Sequence, residues 1–446
     1  MKLTIKKSAV KGKVVIPSSK SMTIRALMCA ALSPGNSEIV NPLISDDTKA
    51  AADVLTKIGV AIVKEKNAWR VTGGKLRVPA EDLYCGESAT TMRLLTAIVS
   101  LVPGEHRLTG GPMLTARPIR SLVEALDKLG VKAYTEGKTT PPVTITGGTF
   151  KGGVTEIAGN ISSQFISALL LVAPFAKKET NIKLTTPMTS KPYILMTLWC
   201  LKKFGINVRS EWDRFVVLRQ RYQPARLKVE GDWSSASYFL ALGAISEEGI
   251  QIDNLSPASL QGDRVILDYL RNMGVMVRVS GDTLIVSQDR LKAIQADLSD
   301  AIDLLPTMAV LAALAEGESV FIGIERARIK ESNRVAAMKE GLVKMGINVI
   351  EDQDRLTITG LKTPKKAADE YGDKDESESK KDAKEEVARE PVVLNAYGDH
   401  RIAMAFGVLG VALGGVTIDG AECVAKTYPD FWQELEKVGG RITRNA

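Results

Sequence analysis

The sequence contains few residues that could bind a metal ion or form disulfide bonds. Among its 446 residues are two histidines and four cysteines, at positions 29, 85, 200 and 423. Zinc sites and disulfide frameworks need several such side chains at close spacing. Because the cysteines are few and far apart, we expect neither kind of site.

Long apolar segments are also absent. The uncharged apolar segment Ile402 to Ile418 has 17 residues and four glycines, whereas a membrane-spanning helix needs about 20 mostly apolar residues. The first residues, MKLTIKKSAVKGKVV, lack the unbroken apolar stretch of a secretory signal. We therefore expect a cytoplasmic protein.

The composition is that of an ordinary folded protein, with 45% hydrophobic and 25% charged residues. A chain of 446 residues exceeds what one compact core usually holds, so two domains are expected. The net charge of +7 is compatible with nucleic acid, a membrane surface or a small anionic substrate. The positions of the basic residues must decide among these partners.

A helix end followed by a strand-like run recurs six times, as in VLTKIGVAI and YLRNMGVMV. Glycine readily takes the left-handed conformation that ends a helix, so each copy predicts a helix that stops at its glycine. The six glycines, 71, 75, 69, 72 and 93 residues apart, are Gly59, Gly130, Gly205, Gly274, Gly346 and Gly439.

A second helix precedes each of these and is apolar on nearly all faces, which predicts burial inside its domain. These helices fall within residues 19–32, 87–102, 162–176, 234–245, 304–315 and 399–413. Six such repeats predict two domains of three repeats each, joined near Pro224 to Val229.

The long last interval is explained by a charged insertion. Residues 362–390 contain eight basic and ten acidic side chains and almost no apolar ones. Such a segment cannot bury enough apolar surface to offset its ordering entropy. We therefore expect an exposed insertion.

Basic residues recur near the predicted helix starts, where free N–H groups and the helix dipole already favour anions. We interpret this as helices from all six repeats directing their N-termini at a shared cleft for a small, multiply anionic ligand. The cations are Lys20, Arg25, Arg93, Arg117, Lys191, Lys330, Arg334, Arg401 and Lys426.

Hydroxyl groups and a few acids accompany these cations. We predict that Ser234 and Ser235 are helix N-caps, whereas other hydroxyls could also contact a ligand. Carboxylates among so many cations are candidates for proton transfer. The other hydroxyls are Ser18, Ser19, Ser21, Ser162, Ser163 and Ser190, and the acids are Asp46, Asp47, Asp303, Glu331 and Asp399.

Eight segments, in order, resemble the EPSP synthase family of enolpyruvyl transferases; examples are IPSSKSMTIRAL, GNISSQFISALLL and RIKESNRVAAMKEGL. The resemblance implies an α/β fold with two pseudo-symmetric domains, each of three βαβαββ repeats, arranged as an inside-out α/β barrel. The first strand would belong to the C-terminal domain. The implied domains are residues 1–18 with 229–446, which include the insertion, and residues 19–228. The eight segments are residues 16–27, 114–126, 159–171, 190–194, 229–245, 328–342, 397–406 and 425–431.

The resemblance also implies an activity. The family transfers the enolpyruvyl group of phosphoenolpyruvate to the 5-hydroxyl of shikimate 3-phosphate and releases phosphate, within aromatic amino acid biosynthesis. It uses no metal or organic cofactor. Two small polyanions as substrates agree with the cation pattern, and we expect a monomer with no nucleic-acid or membrane partner.

Site residues follow from the same resemblance. Asp303 would accept the hydroxyl proton, Glu331 would protonate the methylene carbon of phosphoenolpyruvate, and Lys20 would assist catalysis. Shikimate 3-phosphate would contact Lys20, Ser21, Arg25, Ser162, Ser163, Gln164, Ser190, Tyr193, Asp303 and Lys330. Phosphoenolpyruvate would contact Lys20, Arg117, Gln164, Arg334, Arg401 and Lys426.

Simpler roles are open for several of these residues. Asp399 could be only a helix cap, and His400 beside it could be structural or catalytic. Tyr193 could be a half-buried aromatic residue, and Glu331 could be only an ion-pair partner.

One segment departs from the family pattern. Where the family often has G-N-x-G-T-x-x-R, residues 86–93 are GESATTMR. Ala89 adds a methyl group beside the expected phosphoenolpyruvate pocket, and we hypothesise that it crowds glyphosate, the family's inhibitor, more than the substrate. Glu87 replaces the asparagine, so the family's polar contact at this position is not carried over and Glu87 is not among the expected site residues.

Three other functions compete with this one. A sister transferase acts on UDP-N-acetylglucosamine, but it typically has a cysteine where this chain has Pro112. RNA-terminal phosphate cyclases share related repeats, yet no basic strip with interleaved aromatic residues is present here. A scaffold that acts through residues 362–390 is the third alternative.

Overall fold

The computed structural model describes residues 1–287, 291–361 and 390–445. Nearly all of the charged insertion predicted at residues 362–390 lies outside them. Within the described residues, no helix is both long and apolar enough to cross a membrane.

The elements up to residue 228 alternate strands and helices. In chain order they are β1 (Lys2–Lys6), β2 (Gly12–Val15), α1 (Lys20–Leu32), β3 (Gly35–Val40), α2 (Asp46–Lys57), β4 (Ala61–Lys64), β5 (Ala68–Gly73), β6 (Leu83–Tyr84), α3 (Ala89–Val99), β7 (Gly104–Thr109), α4 (Pro112–Thr115), α5 (Arg120–Lys128), β8 (Lys132–Thr135), β9 (Val143–Gly147), β10 (Gly153–Ile157), α6 (Ser163–Val172), β11 (Thr180–Leu184), α7 (Lys191–Lys203), β12 (Arg209–Ser210), β13 (Arg214–Val217) and β14 (Arg226–Lys228).

The second half of the chain repeats this order. It contains α8 (Trp233–Ala244), β15 (Ile250–Asp253), α9 (Ile266–Asn272), β16 (Met276–Ser280), β17 (Thr283–Ser287), β18 (Gln295–Asp297), α10 (Leu305–Leu314), β19 (Glu318–Ile322), α11 (Arg334–Lys344), β20 (Asn348–Glu351), β21 (Arg355–Thr359), β22 (Val392–Asn395), α12 (His400–Leu413), β23 (Val416–Asp419), α13 (Phe431–Lys437) and β24 (Arg441–Asn445). Short 3-10 helices occupy Ala173–Phe175, Gly262–Val265, Ile302–Leu304, Glu325–Ile329 and Ala421–Lys426.

The described strands form six four-stranded sheets with one shared topology. In β10-β11-β13-β12, for example, β10 and β11 are parallel, and the other two neighbouring pairs are antiparallel. A parallel pair needs a crossover helix, here α6, whereas antiparallel neighbours need only a short turn. The sixfold repeat and its βαβαββ order are therefore confirmed.

Two strand exchanges link the halves of the chain. β1 pairs with β23 and β24, and β2 pairs in parallel with β15, so the N-terminal strands complete sheets of the second half. The family resemblance implied this placement of the first strand. In return β14 completes the first sheet by pairing with β3. The two crossing segments lie side by side, joined by an antiparallel bridge between Ser18 and Gly231.

In each repeat the last helix, here called the outer helix, ends at the predicted glycine. Gly59, Gly130, Gly205, Gly274, Gly346 and Gly439 all have φ between 80° and 103°, two residues after α2, α5, α7, α9, α11 and α13. Only a residue without a Cβ atom adopts this conformation at little cost. All six predicted helix stops are confirmed.

The inner helices α1, α3, α6, α8, α10 and α12 are almost completely buried. They pack against one another, as α3 does with α6 and α10 with α12, and the sheets surround them. Side-chain caps at Ser19, Ser88, Ser162, Asp232 and Asp399 satisfy free N–H groups at five of their starts. The inner helices therefore form the core, and the sheets form the outer layer.

Buried hydrophobic residues fall into two clusters. One joins residues 3–16 to residues 233–438, and the other spans residues 22–229. The chain passes between the clusters near residues 17–21 and 230–232, close to the domain boundaries expected from the sequence.

Candidate active site

A cleft between the two clusters contains most of the predicted site residues. About 840 Å³ of space, part of it open to solvent, lies between its walls. The predicted residues on those walls are Lys20, Ser21, Arg117, Ser162, Ser163, Gln164, Ser190, Tyr193, Asp303, Lys330, Glu331, Arg334 and Arg401.

Helix N-termini from both halves face this cleft. Lys20 is the first residue of α1, Ser163 of α6 and Arg334 of α11, and Arg401 is the second residue of α12. These helix starts therefore contribute both free N–H groups and cationic side chains. The predicted convergence is confirmed for these four helices.

Arg334 is the centre of the electrostatic network. Its guanidinium is 1% exposed and donates hydrogen bonds to Asp303 Oδ1 at 2.6 Å, to Glu331 Oε2 at 2.7 Å and to Asp399 Oδ2 at 2.7 Å. The three nitrogen atoms of the planar guanidinium each donate to a different carboxylate, an arrangement that arginine can provide and lysine cannot. Arg334 thus sets the mutual positions of both predicted proton-transfer residues.

Asp303 is held ionised and oriented. Burial alone would raise the pKa of Asp303, but Arg401, Lys330 and Arg334 outweigh burial and hold this pKa well below its usual range. Tyr193 Oη donates to Asp303 Oδ2 at 2.9 Å, and Arg401 Nη2 donates to the same oxygen at 3.1 Å. The Tyr193 hydroxyl is a neutral donor, because burial and the charge of Asp303 raise its pKa well above the usual value.

Glu331 faces cations from both halves of the chain. Beyond Arg334, its Oε1 lies 3.5 Å from Arg117 Nη1 and 3.8 Å from Lys426 Nζ. Burial raises the pKa of Glu331, but the charges of Arg334, Arg117 and Lys426 outweigh burial and hold this pKa well below its usual range. The carboxyl is therefore ionised when no ligand is present.

Asp399 is the cap of α12, as the simpler interpretation predicts, and it also orients Arg334. It accepts a hydrogen bond from Arg401 N at 3.0 Å and from Ser332 Oγ at 3.1 Å. His400 is buried beside it, and burial together with the charges of Arg401 and Lys20 lowers the pKa of His400 well below its usual value. Its ring is therefore neutral, and it is not among the residues that line the cleft.

Arg93 organises the opposite wall. Its Nη1 donates to Gln164 Oε1 at 2.8 Å, and its guanidinium lies 4.9 Å from the ring centre of Phe165. Gln164 Nε2 donates in turn to Thr90 Oγ1 at 3.0 Å. The sequence indicates Arg93 as a helix-start cation without a site role. In the structure it fixes the amide orientation of Gln164.

Two predicted ligand residues are set back from the cleft. Arg25 lies inside α1, 1% exposed, where its Nε donates to Thr197 Oγ1 at 2.8 Å. Its Nη2 has no partner among the described residues. Lys426 is 8% exposed and donates to the Glu87 carbonyl oxygen at 2.8 Å. Lys426 therefore acts on the cleft through Glu331.

Three expectations about the helix starts are wrong. Ser234 and Ser235 do not cap α8, because Asp232 precedes them and its carboxylate accepts from Ser235 N at 2.8 Å. The Ser234 hydroxyl donates to Asp263 instead.

Lys191 has an exposed side chain and is not among the cleft residues. Since the fourth repeat also supplies no cleft cation among the described residues, not every repeat contributes one.

Other cleft residues carried little or no sequence signal. The sequence indicates Asp47 only as an acid near the cations, and in the structure it pairs with Lys20 Nζ at 3.0 Å. Arg326 lies in a 3-10 helix and donates to Ser190 Oγ at 2.9 Å across the cleft. No periodic pattern distinguishes such short segments, so the contact could not be predicted from sequence.

The whole chain is similar to a family with known members. Residues 5–435 match the family model described as EPSP synthase (3-phosphoshikimate 1-carboxyvinyltransferase). A 3-phosphoshikimate 1-carboxyvinyltransferase from Dehalococcoides mccartyi is 44% identical over 100% of both chains. One from Methanocaldococcus jannaschii is 38% identical over 99% of both chains. A solved EPSP synthase structure from Acinetobacter baumannii is 28% identical, with a TM-score of 0.78 over 99% of this chain and 100% of that one.

Proposed function

The chain belongs to the EPSP synthase family. We propose which of its side chains bind each substrate and which transfer protons. The protein is a transferase that moves the enolpyruvyl group of phosphoenolpyruvate to the 5-hydroxyl of shikimate 3-phosphate. The products are 5-enolpyruvylshikimate 3-phosphate and phosphate. Both substrates are polyanions, and the cleft gathers cations from both halves of the chain around two ionised carboxylates.

The proposed shikimate 3-phosphate site uses hydroxyl and amide groups together with fewer cations. Ser162, Ser163 and Ser190 lie on the cleft wall with Lys330. Hydroxyls at the start of α6 together with its free N–H groups suit a phosphate. The full proposed set is Lys20, Ser21, Arg25, Ser162, Ser163, Gln164, Ser190, Tyr193, Asp303 and Lys330.

The proposed phosphoenolpyruvate site is richer in arginine, whose forked donors match carboxylate and phosphate groups. Arg117 supports this, since its buried Nε has no partner among the described residues. The proposed set is Lys20, Arg117, Gln164, Arg334, Arg401 and Lys426.

Proton transfer is assigned to the two carboxylates that Arg334 holds. Asp303 accepts the proton of the substrate 5-hydroxyl while that oxygen forms a bond to C2 of phosphoenolpyruvate. Glu331 donates a proton to the C3 methylene carbon. Glu331 can be protonated for this step because the bound phosphoenolpyruvate anion offsets the cations that lower its pKa.

The addition produces a tetrahedral ketal phosphate. Elimination then removes a proton from C3 and releases phosphate, which reverses the proton flow. The intermediate keeps its negative charge between Lys20 and the arginines, so preorganised cations contribute most of the stabilisation at this stage.

The test of this function is phosphate release from phosphoenolpyruvate with and without shikimate 3-phosphate. We expect release only when both substrates are present, because the hydroxyl nucleophile comes from the second substrate. Release without shikimate 3-phosphate would contradict the proposed mechanism.

We also propose that the protein is a cytoplasmic monomer with domains at residues 19–228 and at 1–18 with 229–446. Support for a monomer is that the cleft walls come from one chain. All four cysteines are unpaired, as is usual in reducing compartments. Light scattering during size-exclusion chromatography tests the oligomeric state.

Lys330 predicts a pH dependence of substrate binding. The pKa of Lys330 is lowered to about 8, chiefly by burial and also by the positive charges of Arg334 and Arg326. The negative charge of Asp303 opposes this shift. The ammonium is charged below this pKa and neutral above it. We therefore expect the affinity for shikimate 3-phosphate to fall as pH rises through about 8 toward 10, by up to tenfold per pH unit. Calorimetric titration checks this, and Lys330→Arg should remove most of the pH dependence.

Ala89 predicts a difference in inhibition. It is 4% exposed and lies on the cleft wall at the first position of α3. Removing its methyl group in Ala89→Gly is expected to strengthen inhibition by glyphosate while the KM for phosphoenolpyruvate changes little. Inhibition constants of wild type and variant measure this, and equal constants would contradict steric crowding by Ala89.

A further inference from the structure

Glu87 turns its carboxylate away from the cleft and toward the short helix α4. Glu87 Oε2 accepts a hydrogen bond from Leu114 N at 2.7 Å. Leu114 is the third residue of α4, and its N–H group also donates to the Gly111 carbonyl oxygen at 3.1 Å, but Gly111, the N-cap of this helix, has no side chain to accept from it. The Glu87 carboxylate therefore supplies, from another part of the chain, the acceptor that an N-cap side chain normally provides.

Gly111 leaves the space that this contact requires. A Cβ atom at position 111 would lie 2.0 Å from Glu87 Oε1 and 2.6 Å from the carboxyl carbon. Any other residue would thus displace the carboxylate from α4. Glu87 and Gly111 together form a specific contact between two loops, which a solvent-exposed acid would not need.

The same residue contacts the other half of the chain through its main chain. Lys426 Nζ donates to the Glu87 carbonyl oxygen at 2.8 Å. Lys426 belongs to the half of the chain that includes α12 and α13, whereas Glu87 immediately precedes α3. Glu87 therefore bridges the two sides of the cleft.

These contacts close a ring around one end of the cleft. From Leu114 the ring continues to Arg117, whose N–H donates to the Leu114 carbonyl oxygen at 3.0 Å. Arg117 Nη1 lies 3.5 Å from Glu331, and Glu331 lies 3.8 Å from Lys426 Nζ. The hydrogen bond from Lys426 Nζ to the Glu87 carbonyl oxygen closes the ring. Arg117 and Lys426 are thus positioned by one residue that does not itself line the cleft.

We propose that Glu87 is a positioning residue for the phosphoenolpyruvate site, which holds Arg117 through α4 and Lys426 through its own carbonyl group. The inference rests on the proposed division of residues between the two substrates. It also explains why the family's polar contact is replaced here: the side chain at position 87 acts on the site through its neighbours.

A selective effect on one substrate follows from this geometry. The groups assigned to the phosphate of shikimate 3-phosphate, Ser162, Ser163 and Ser190, belong to α6 and to the start of α7, outside the ring. Loss of the Glu87 carboxylate would loosen Arg117 but leave these groups in place. The expected signature is a change in the KM for phosphoenolpyruvate and an unchanged affinity for shikimate 3-phosphate.

The test compares Glu87→Ala with Glu87→Gln in steady-state assays with each substrate varied. Glu87→Ala should raise the KM for phosphoenolpyruvate about tenfold, the size expected for losing one charge-assisted hydrogen bond. Glu87→Gln keeps an oxygen acceptor of the same reach and should stay within about threefold of wild type. Glu65→Ala is the matched control, since Glu65 is an exposed partner of Arg70 and should leave both KM values unchanged.

Several results would overturn the proposal. An unchanged KM for phosphoenolpyruvate in Glu87→Ala, or equal losses in the alanine and glutamine variants, would show that the hydrogen bond does not position Arg117. A parallel rise of both KM values with a lowered melting temperature would indicate general loosening. Arg117→Ala in the same assay separates the two hypotheses: if its KM for phosphoenolpyruvate is normal, the division of residues between substrates fails, whatever Glu87 does.

Discussion

Replacing Asp303 with asparagine is expected to lower kcat about a thousandfold, in the range that general bases usually contribute. The amide keeps the size of the carboxylate and can still accept a hydrogen bond from Tyr193. It cannot take the proton of the 5-hydroxyl. Because Asp303 is surrounded by Arg334, Arg401 and Lys330, its loss also leaves the cations less neutralised, so the binding of anionic substrates should not weaken.

Steady-state kinetics with both substrates measure this effect. The expected pattern is a large loss in kcat with KM values that stay the same or decrease, which indicates loss of a group that acts in the transition state. Asp268→Asn is the control, because Asp268 is exposed and forms an ion pair with nearby Arg271, far from the proposed proton transfer. A kcat within tenfold of wild type in Asp303→Asn would exclude Asp303 as the base.

Replacing Arg334 with methionine is expected to abolish transfer and to lower the free energy of unfolding by about 3–5 kcal/mol, as when one partner of a buried ion pair is removed. Arg334 is 1% exposed and contacts Asp303, Glu331 and Asp399, of which Asp399 is 0% exposed. Methionine fills a similar volume but leaves three buried carboxylates without their shared cation.

The pH dependence distinguishes this mechanism from a simple packing defect. In wild type the low pKa values of Asp303 and Glu331 stabilise the fold above the pKa values of the unfolded chain, near 4. That stabilisation is lost as pH falls through the folded-state values. The difference between wild type and Arg334→Met should therefore be fully present at pH 7 and shrink as the pH falls below about 4.

Urea unfolding at several pH values provides the measurement. Arg226→Met serves as the control, since Arg226 is an exposed partner of Glu38 and exposed pairs contribute only about 0–1 kcal/mol. A loss for Arg334→Met no larger than this control, or one independent of pH, would contradict the central role of Arg334.

Much of the fold could be predicted from local sequence. The six glycines that end the outer helices have a conformational preference that depends on the residue itself, so the repeat is readable without knowledge of contacts. Gly59 and Gly439 show the same signal 380 residues apart. The uniform apolar character of the inner helices likewise predicts burial, because no face of such a helix suits water.

Predictions failed where a neighbouring group competed for the same hydrogen bond. Ser234 and Ser235 are good N-cap residues, but Asp232 stands two positions before Ser234 and takes that role. Lys191 precedes the apolar part of α7 as Lys20 does in α1, yet its side chain faces outward. Residue type predicts the capacity for such contacts, whereas the direction of the chain decides which is made.

Residue pattern by itself determined the repeat, the burial of the inner helices and the anionic character of the ligand, because each depends on properties of single residues or of short, regular segments. Tertiary structure alone decided that Arg334 is shared by three carboxylates and that Glu87 caps a helix to which it is not adjacent. Apart from the contact of Arg334 with Glu331, three positions away, those contacts join residues separated by 27 to 65 positions. They exist only because packing of the inner helices brings distant loops to one cleft, where hydrogen bonds and charges act over a few ångströms.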